Sequence, residues 1–329
     1  MTISQARSGA ARAIRVAILD DYQRVARHFA DWGSLPEGSE VSVFHDHLQD
    51  EAALAERLEP FEAIVAMRER TPFPRSLLAR LPRLRLLVTA GMRNAAIDLR
   101  AAAQAGVTVS GTEGLSYPTA ELTWGLILAL ARHIPLEDHA LRSGSWQTSV
   151  GWGLQGKTLG VLGVGRLGTQ VARIGAAFGM DVLAWSPHCT PARATAAGAA
   201  LVDRDELFQR SDVLSLHLVL SERTQGIVGA RELALMKKTA LFINTSRGPL
   251  VDESALVSVL RARAIGGAGL DVFDSEPLPS GHPLLELPNT VLTPHLGYVT
   301  EETYRVFYTH ALADVQAYLA GQPLRVLSA

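Results

Sequence analysis

Residues Gly163-Val164-Gly165-Arg166-Leu167-Gly168 stand between an apolar run, Thr158–Leu162, and a stretch with helical spacing, Arg166–Phe178. A strand that turns through glycines directly into a helix has few folds open to it. The helix packs back on the sheet and delivers the chain to a parallel neighbour. Each glycine answers a separate physical need. Gly163 permits the tight turn, Gly165 lets the backbone approach a pyrophosphate, and Gly168 brings helix and strand close. The unpaired amides of the helix N-terminus then face the negative charge. The motif predicts a parallel α/β sheet that binds a dinucleotide.

The rest of the chain keeps this rhythm. Short apolar runs at Arg15–Leu19, Glu40–Phe44, Ala63–Met67 and Leu84–Thr89 are followed by helix-like stretches such as Asp50–Leu58 and Arg75–Leu81. After V-T-V-S-G-T, the segment Tyr117–Arg142 has no turn residues except Gly125 and Pro135, and its apolar positions Leu122, Leu126, Ile127 and Leu130 recur at helical spacing. It is expected as one long helix joining two βα arrays. Past the glycine motif the alternation runs through D-V-L-A-W, D-V-L-S-L-H-L, A-L-F-I-N-T, I-G-G-A-G-L-D-V-F and T-V-L-T-P-H, so a second sheet of six strands is expected. A last helix, Thr300–Leu319, starts on Thr300 as its N-cap with Glu301 and Glu302 in the first turn. The fold class is α/β, with two domains, each a parallel sheet carrying helices on both faces; 329 residues are too many for one comfortable core.

Composition excludes several partners. The net charge is -2 and the basic residues form no run, which argues against nucleic acid and against an anionic membrane surface. Cys189 is the only cysteine, so neither a disulfide within the chain nor a thiolate metal site is expected, and a reducing cytoplasm fits. No metal site is expected from the other residues, and no apolar run approaches the ~18–20 residues that cross a bilayer. The first thirteen residues are small, basic and acid-free, and read as a frayed terminus in preference to a transit peptide.

Three residues of chemical interest fall where strands of the second sheet should end: Arg247 after A-L-F-I-N-T-S, Glu276 after G-L-D-V-F-D-S, and His295 after N-T-V-L-T-P. Open α/β sheets bind ligands at the carboxyl ends of their strands, so the three are expected around one crevice. Arginine offers a planar fork to a carboxylate, histidine carries protons near neutral pH, and a carboxylate beside it favours the imidazolium. At the end of the strand D-V-L-A-W, where an acid would hold the adenosine ribose, Ser186 stands instead. That removes the group that repels a 2′-phosphate, and His188 and Arg193 lie close in sequence, so NAD and NADP both stay open.

The ordered motifs G-V-G-R-L-G, N-T-S-R-G, G-L-D-V-F-D-S-E-P and T-P-H-L-G resemble those of the D-isomer-specific 2-hydroxyacid dehydrogenases, a family that includes phosphoglycerate, glycerate, hydroxypyruvate and glyoxylate-handling enzymes. The resemblance runs from about Arg15 to Leu327. It implies a Rossmann cofactor domain, 111–297, inserted into a flavodoxin-like substrate domain made of 1–110 and 298–329. It further implies Arg247 as the substrate-orienting arginine, Glu276 as partner carboxylate and His295 as general acid/base. Ala90, Gly91 and Met92 match the loop whose amides hold the substrate carboxylate, and Arg68 another substrate-contacting position. The cofactor set it implies is Gly163, Gly165, Arg166, Leu167, Gly168, Ser186, His217, Thr245, Asp271 and Gly297, with Asp271 at the nicotinamide carboxamide. Trp146 falls in a loop that closes the cleft between domains in such enzymes, and a homodimer through the cofactor domain is implied. Val219 stands where the family has proline, which loosens the assignment of His217.

The expected reaction moves a hydride between a nicotinamide cofactor and C2 of a small 2-hydroxy or 2-keto acid, such as glyoxylate, hydroxypyruvate or a phosphoglycerate-like compound. Arg68, Arg70 and Arg93 are the candidate cations for a phosphorylated substrate. Two other readings share the scaffold: an NAD(H)-sensing, corepressor-like binding protein, and a phosphite dehydrogenase. Glu276 argues against formate as substrate, because formate enzymes of this superfamily carry glutamine there.

Overall fold

The computed structural model describes residues 12–328, so the reading of the first residues as a frayed terminus falls, up to residue 11, outside the described residues. The chain divides into two compact units. One holds the described residues up to Leu115 together with those from Thr300 onward; the other, Ser116–Val299, is inserted between them in the sequence.

The first unit contains β1 (Arg15–Ile18), β2 (Glu40–Val43), β3 (Ala63–Ala66), β4 (Leu86–Thr89) and β5 (Thr108–Gly111), all parallel, in the order β2-β1-β3-β4-β5. That is the flavodoxin-like order, with its switch point between β1 and β3. Asp50 caps the helix Glu51–Leu58 by accepting from the Ala53 amide, and Leu54, Ala55 and Leu58 form the face it buries. These pack with Ala17, Ile64, Phe73, Leu77 and Leu87 in one core cluster. The helix Glu301–Leu319 begins on Thr300, whose hydroxyl accepts from the Thr303 amide, as the sequence predicts.

The second unit contains β6 (Thr158–Leu162), β7 (Asp181–Trp185), β8 (Ala200–Leu201), β9 (Val213–Leu216), β10 (Leu241–Asn244), β11 (Gly267–Leu270) and β12 (Thr290–Leu292), in the order β12-β11-β10-β9-β6-β7-β8. This is a doubly wound Rossmann sheet whose direction of winding reverses between β6 and β9. Both faces are covered, which explains why its strands read as unbroken apolar runs. Along β10, Leu241 and Ile243 enter a cluster with Trp124, Ile127, Val161 and Val171, while Phe242 enters another with Phe208, Leu214, Leu256 and Leu260. Each such side chain contributes about 1.5–3 kcal/mol by burial.

Two expectations are corrected. The sheet has seven strands rather than six, because β8 is two residues long and too short to carry a period. The long helix Tyr117–Arg142 is two helices, Tyr117–Ala131 and Ile134–Arg142. Between them His133 adopts φ 52, and Pro135 sits in the first turn of the second helix. A proline there starts a helix well but could not continue one, having no amide for the carbonyl of Ala131. That carbonyl accepts from Trp152 instead. Among the described residues no helix is long and apolar enough to cross a membrane.

Candidate active site

The glycine turn is tightly packed at two of its three glycines and open at the third. Gly163 has φ 113 and its amide donates to the Trp185 carbonyl; a Cβ there would lie 2.5 Å from the His217 carbonyl oxygen. A Cβ on Gly168 would come within 1.9 Å of the Gly163 carbonyl, so helix and strand touch at that point. Around Gly165 a Cβ would meet nothing within 4 Å. Gly165 caps the helix Arg166–Ala177 with no side-chain hydrogen bond, and the first helical bond runs from Thr169 to Gly165. The amides of Arg166, Leu167 and Gly168 therefore lie before the first helical bond, at the positive end of a twelve-residue helix, a polarity that suits a pyrophosphate.

The neighbouring strand ends extend this cradle. Ser186 is half-buried just past β7, beside the exposed His188 and Arg193. His217, just past β9, is 8 % exposed; its Nε2 lies 2.8 Å from Ser215 Oγ, and its buried Nδ1 has no hydrogen-bond partner among the described residues. Burial pushes its pKa down to about 4, so the ring is neutral. Val219, in place of the family's proline, is 71 % exposed. Thr245 is buried with its hydroxyl 2.8 Å from that of Thr123. An open glycine turn, unpaired helix amides and an orphaned buried ring nitrogen fit a dinucleotide.

Beyond β10, β11 and β12 lie the three expected side chains. The chain past β10 is pinned by Asn244, whose Nδ2 donates to the Arg247 carbonyl and whose Oδ1 accepts from the Ser246 amide. Half-buried Arg247 donates through Nη1 to the Ser246 carbonyl. Gly248 follows because a Cβ there would sit 2.1 Å from the backbone of Phe273, so the loops after β10 and β11 are packed against each other. Glu276 accepts from the Phe273 amide through Oε1 at 3.0 Å and meets His295 Nδ1 through Oε2 at 2.6 Å. Burial works to raise the Glu276 carboxyl. The bond from His295, the charge of that ring, the Phe273 amide and the Arg247 guanidinium outweigh it and hold the carboxyl below its usual value. The two side chains are 30 % and 17 % exposed, open enough to exchange a proton with a bound molecule.

His295 is held through Asp271, a residue to which the sequence had assigned a different part. Asp271 is fully buried, and its Oδ1 accepts from Thr293 Oγ1 and the Leu296 amide while Oδ2 accepts from the Gly297 amide. Three bonds from one carboxylate therefore brace the segment 293–297, in which His295 adopts φ 54. The Gly297 carbonyl accepts from Thr119, and a Cβ on Gly297 would lie 3.1 Å from Asp271 Oδ2. Tyr298 stands edge-on to the imidazole at 5.5 Å. The resemblance places Asp271 at a cofactor amide; the structure turns its carboxylate inward because those three donors enclose it. The T-P-H-L-G motif carried the signal for the loop, but nothing local linked it to an acid in another strand.

In the first unit, the amides of Ala90 and Gly91 are already used, donating to the Ala66 carbonyl and to Thr112 Oγ1. The Met92 amide has no hydrogen bond among the described residues, and its side chain is 44 % exposed. Of the three residues assigned to that loop, Met92 is the one with an amide to offer. Arg68 has φ 55 and reaches the Ala90 carbonyl through Nη1 at 3.3 Å. Trp146 belongs to the second unit and is 77 % exposed.

A doubly wound sheet with such a cradle, and acid–base groups past its other strands, is the plan of a nicotinamide-dependent oxidoreductase. Residues 124–297 match the model of the D-isomer specific 2-hydroxyacid dehydrogenase NAD binding domain. A glyoxylate reductase of Aeropyrum pernix is 41 % identical over 256 residues, 75 % of this chain and 76 % of that one. A D-3-phosphoglycerate dehydrogenase of Methanocaldococcus jannaschii is 38 % identical over 88 % of this chain, which spans 55 % of that relative. The crystal structure of a phosphoglycerate oxidoreductase from Vibrio cholerae superposes with a TM-score of 0.89 at 42 % identity, covering 94 % of this chain and 99 % of that one. The chain belongs to the D-isomer specific 2-hydroxyacid dehydrogenase family. Its reaction class is nicotinamide-dependent hydride transfer between a 2-hydroxy acid and the corresponding 2-keto acid.

Proposed function

We propose that the chain is a reductase of small 2-keto acids of the glyoxylate or hydroxypyruvate type, with His295 as general acid, Glu276 as its partner and Arg247 as the orienting cation. The observation that carries this reading is the 2.6 Å bond between Glu276 Oε2 and His295 Nδ1. It fixes the ring and leaves Nε2 to face a substrate oxygen. The ring gives its proton to the carbonyl oxygen as C2 is reduced, and the carboxylate orients it for that transfer. Arg247 presents a fork to the carboxylate and steadies it against rotation. When bound, the nicotinamide supplies the hydride. Its pyrophosphate is assigned to Gly163, Gly165, Arg166, Leu167 and Gly168, and its remaining parts to Ser186, His217, Thr245 and Gly297. Asp271 acts in this set through the His295 loop, since none of its own surface is exposed. Arg68 and the Met92 amide, with Ala90 and Gly91 as its frame, are assigned to the substrate.

NADP is kept beside NAD because no acid follows β7. An unphosphorylated substrate is favoured because Arg70 is committed within its own unit: it stacks 4.5 Å over the Tyr22 ring and donates to the Asp20 carbonyl. A homodimer through the second unit is supported by the helix Ile134–Arg142, which buries no residue and exposes Ile134, Leu136 and Leu141, each more than half exposed. The helix before it, Tyr117–Ala131, packs on its own sheet instead. A cytoplasmic setting goes with the lone Cys189.

The test follows absorbance of NADH and NADPH in parallel against glyoxylate, hydroxypyruvate, phosphohydroxypyruvate, pyruvate and longer 2-keto acids, with His295→Ala as control. Turnover that disappears in the variant supports the reading and ranks cofactor and substrate. Tight cofactor binding with no turnover on any of these acids defeats it.

A further inference from the structure

A carboxylate–imidazole bond outside the triad lies in the first unit. Asp20, just past β1, is 1 % exposed, and a buried carboxylate is costly unless it is well partnered. His47 Nδ1 lies 2.9 Å from Asp20 Oδ1, and Thr71 Oγ1 donates to Oδ2 at 2.7 Å. The Asp20 carbonyl accepts from Arg70 Nη1 at 2.8 Å. One residue thus gathers the loops that follow β1, β2 and β3, at the switch point of the flavodoxin-like sheet where such folds bind ligands.

The loop after β3 is the one that needs holding. Arg68 and Asp20 both lie in the left-handed region, at φ 55 and 56, a conformation that a side-chain-bearing residue keeps only when its surroundings impose it. On one side of Arg68, Asn94 Nδ2 donates to its carbonyl at 2.6 Å and to Thr89 Oγ1 at 2.8 Å. On the other side, Arg70 and Thr71, two and three residues on, are tied to Asp20. Neither Asp20 nor His47 has a part in the hydride or proton transfer described above.

We propose that Asp20 is a positioning residue for substrate binding: bridging His47 and Thr71, it sets the loop 67–71 so that Arg68 is presented to the substrate. The inference rests on Arg68 being a substrate contact.

The experiment measures steady-state kinetics with NADH and glyoxylate for Asp20→Ala, Asp20→Asn, Thr71→Val, Arg68→Ala and the double variant Asp20→Ala/Arg68→Ala. NADH affinity is read by fluorescence, and hydrogen exchange of the peptide spanning 67–71 is followed in parallel. Asp20→Ala should raise KM about tenfold or more, the size of a lost hydrogen bond to a charged group, with kcat and NADH affinity little changed. Asp20→Asn and Thr71→Val should raise it by only about two- to threefold, because part of the bridge survives. The double variant should be no worse than Arg68→Ala alone, as action through Arg68 requires. Exchange should quicken in 67–71 and stay unchanged at the glycine turn. Independent, multiplying effects, or unchanged KM in Asp20→Ala, would overturn the proposal. So would a parallel loss of kcat, NADH affinity and melting temperature, which marks a merely structural acid. If Arg68→Ala leaves KM unchanged, it is the assignment of Arg68 that fails; unaltered exchange in 67–71 refutes the clasp by itself, whatever the substrate.

Discussion

The two sheets each carry a histidine bonded to a carboxylate just past a strand end, and the two pairs differ in what surrounds the bond. Past β11 and β12, Glu276 and His295 keep 30 % and 17 % of their side chains exposed, and Arg247 shares their neighbourhood. Past β1 and β2, Asp20 and His47 keep 1 % and 10 %, and the acid's other oxygen is occupied by Thr71. The bond itself is similar, 2.6 Å in one case and 2.9 Å in the other. Exposure separates a pair that can hand a proton to a ligand from a pair that holds loops in register. A third histidine, His217, completes the contrast: it has no carboxylate at all and is kept neutral by burial.

The largest effect that would break this comparison is on turnover. His295→Ala should lower kcat by about 10²–10⁴-fold, the usual contribution of a positioned general acid. His47→Ala should leave kcat within about threefold and act on KM, since its influence runs through packing and hydrogen bonding of modest net size. Equal losses of kcat in single-turnover assays of the two variants would remove the distinction.

A smaller effect sharpens it. Glu276→Gln keeps a hydrogen-bonding group beside His295 and deletes only the charge, so kcat should fall by about ten- to hundredfold. The Glu276 carboxyl lies below its usual value, so the charged pair persists as pH falls until that lowered value is reached. Activity of the unaltered protein should therefore hold on the acid side down to pH values below those of an ordinary glutamate. The pH–rate profile of the variant should lose that limb.

The glycine turn supplies a comparison of its own. Gly168→Ala drives a methyl into the Gly163 carbonyl and should prevent stable folding, whereas Gly165→Ala meets open space. The latter should leave the melting temperature almost unchanged and weaken NADH binding by about tenfold through loss of close backbone approach. Titration calorimetry and thermal melts on both variants separate packing from cofactor approach.

Most of the second sheet was legible because its signals are local. The glycine spacing, the apolar runs and the residues that follow them marked out β6, β7, β9, β10, β11 and β12, and with them Arg247, Glu276 and His295. What escaped was short or non-local. β8 has two residues and no period. The break at His133 depends on a left-handed residue whose sequence shows only Pro135 two positions on. Asp271 braces His295 across two strands, and Asp20 meets His47 and Thr71 only once three strands lie side by side. The amides of Ala90 and Gly91 looked available in sequence and are consumed by partners in β3 and beyond β5.

A last effect concerns stability, and it rests on His217. Unfolded, this ring has an ordinary value near 6.5; folded, burial lowers it to about 4. Between those values the unfolded chain binds the proton and the folded one does not, so stability rises with pH through that window and is lost as pH falls. Above about 6.5 the group is neutral in both states and contributes no slope. The full swing is at most about 3 kcal/mol, and proton uptake by a loosened strand end would reduce it. His217→Gln cannot take up that proton and should flatten the denaturation midpoint between pH 4 and 6.5, while His295 and His47 keep their own effects on kinetics. A variant that retains the full acid slope would mean that His217 is not the buried neutral ring of the second sheet, and its unpartnered Nδ1 would lose its claim on the cofactor.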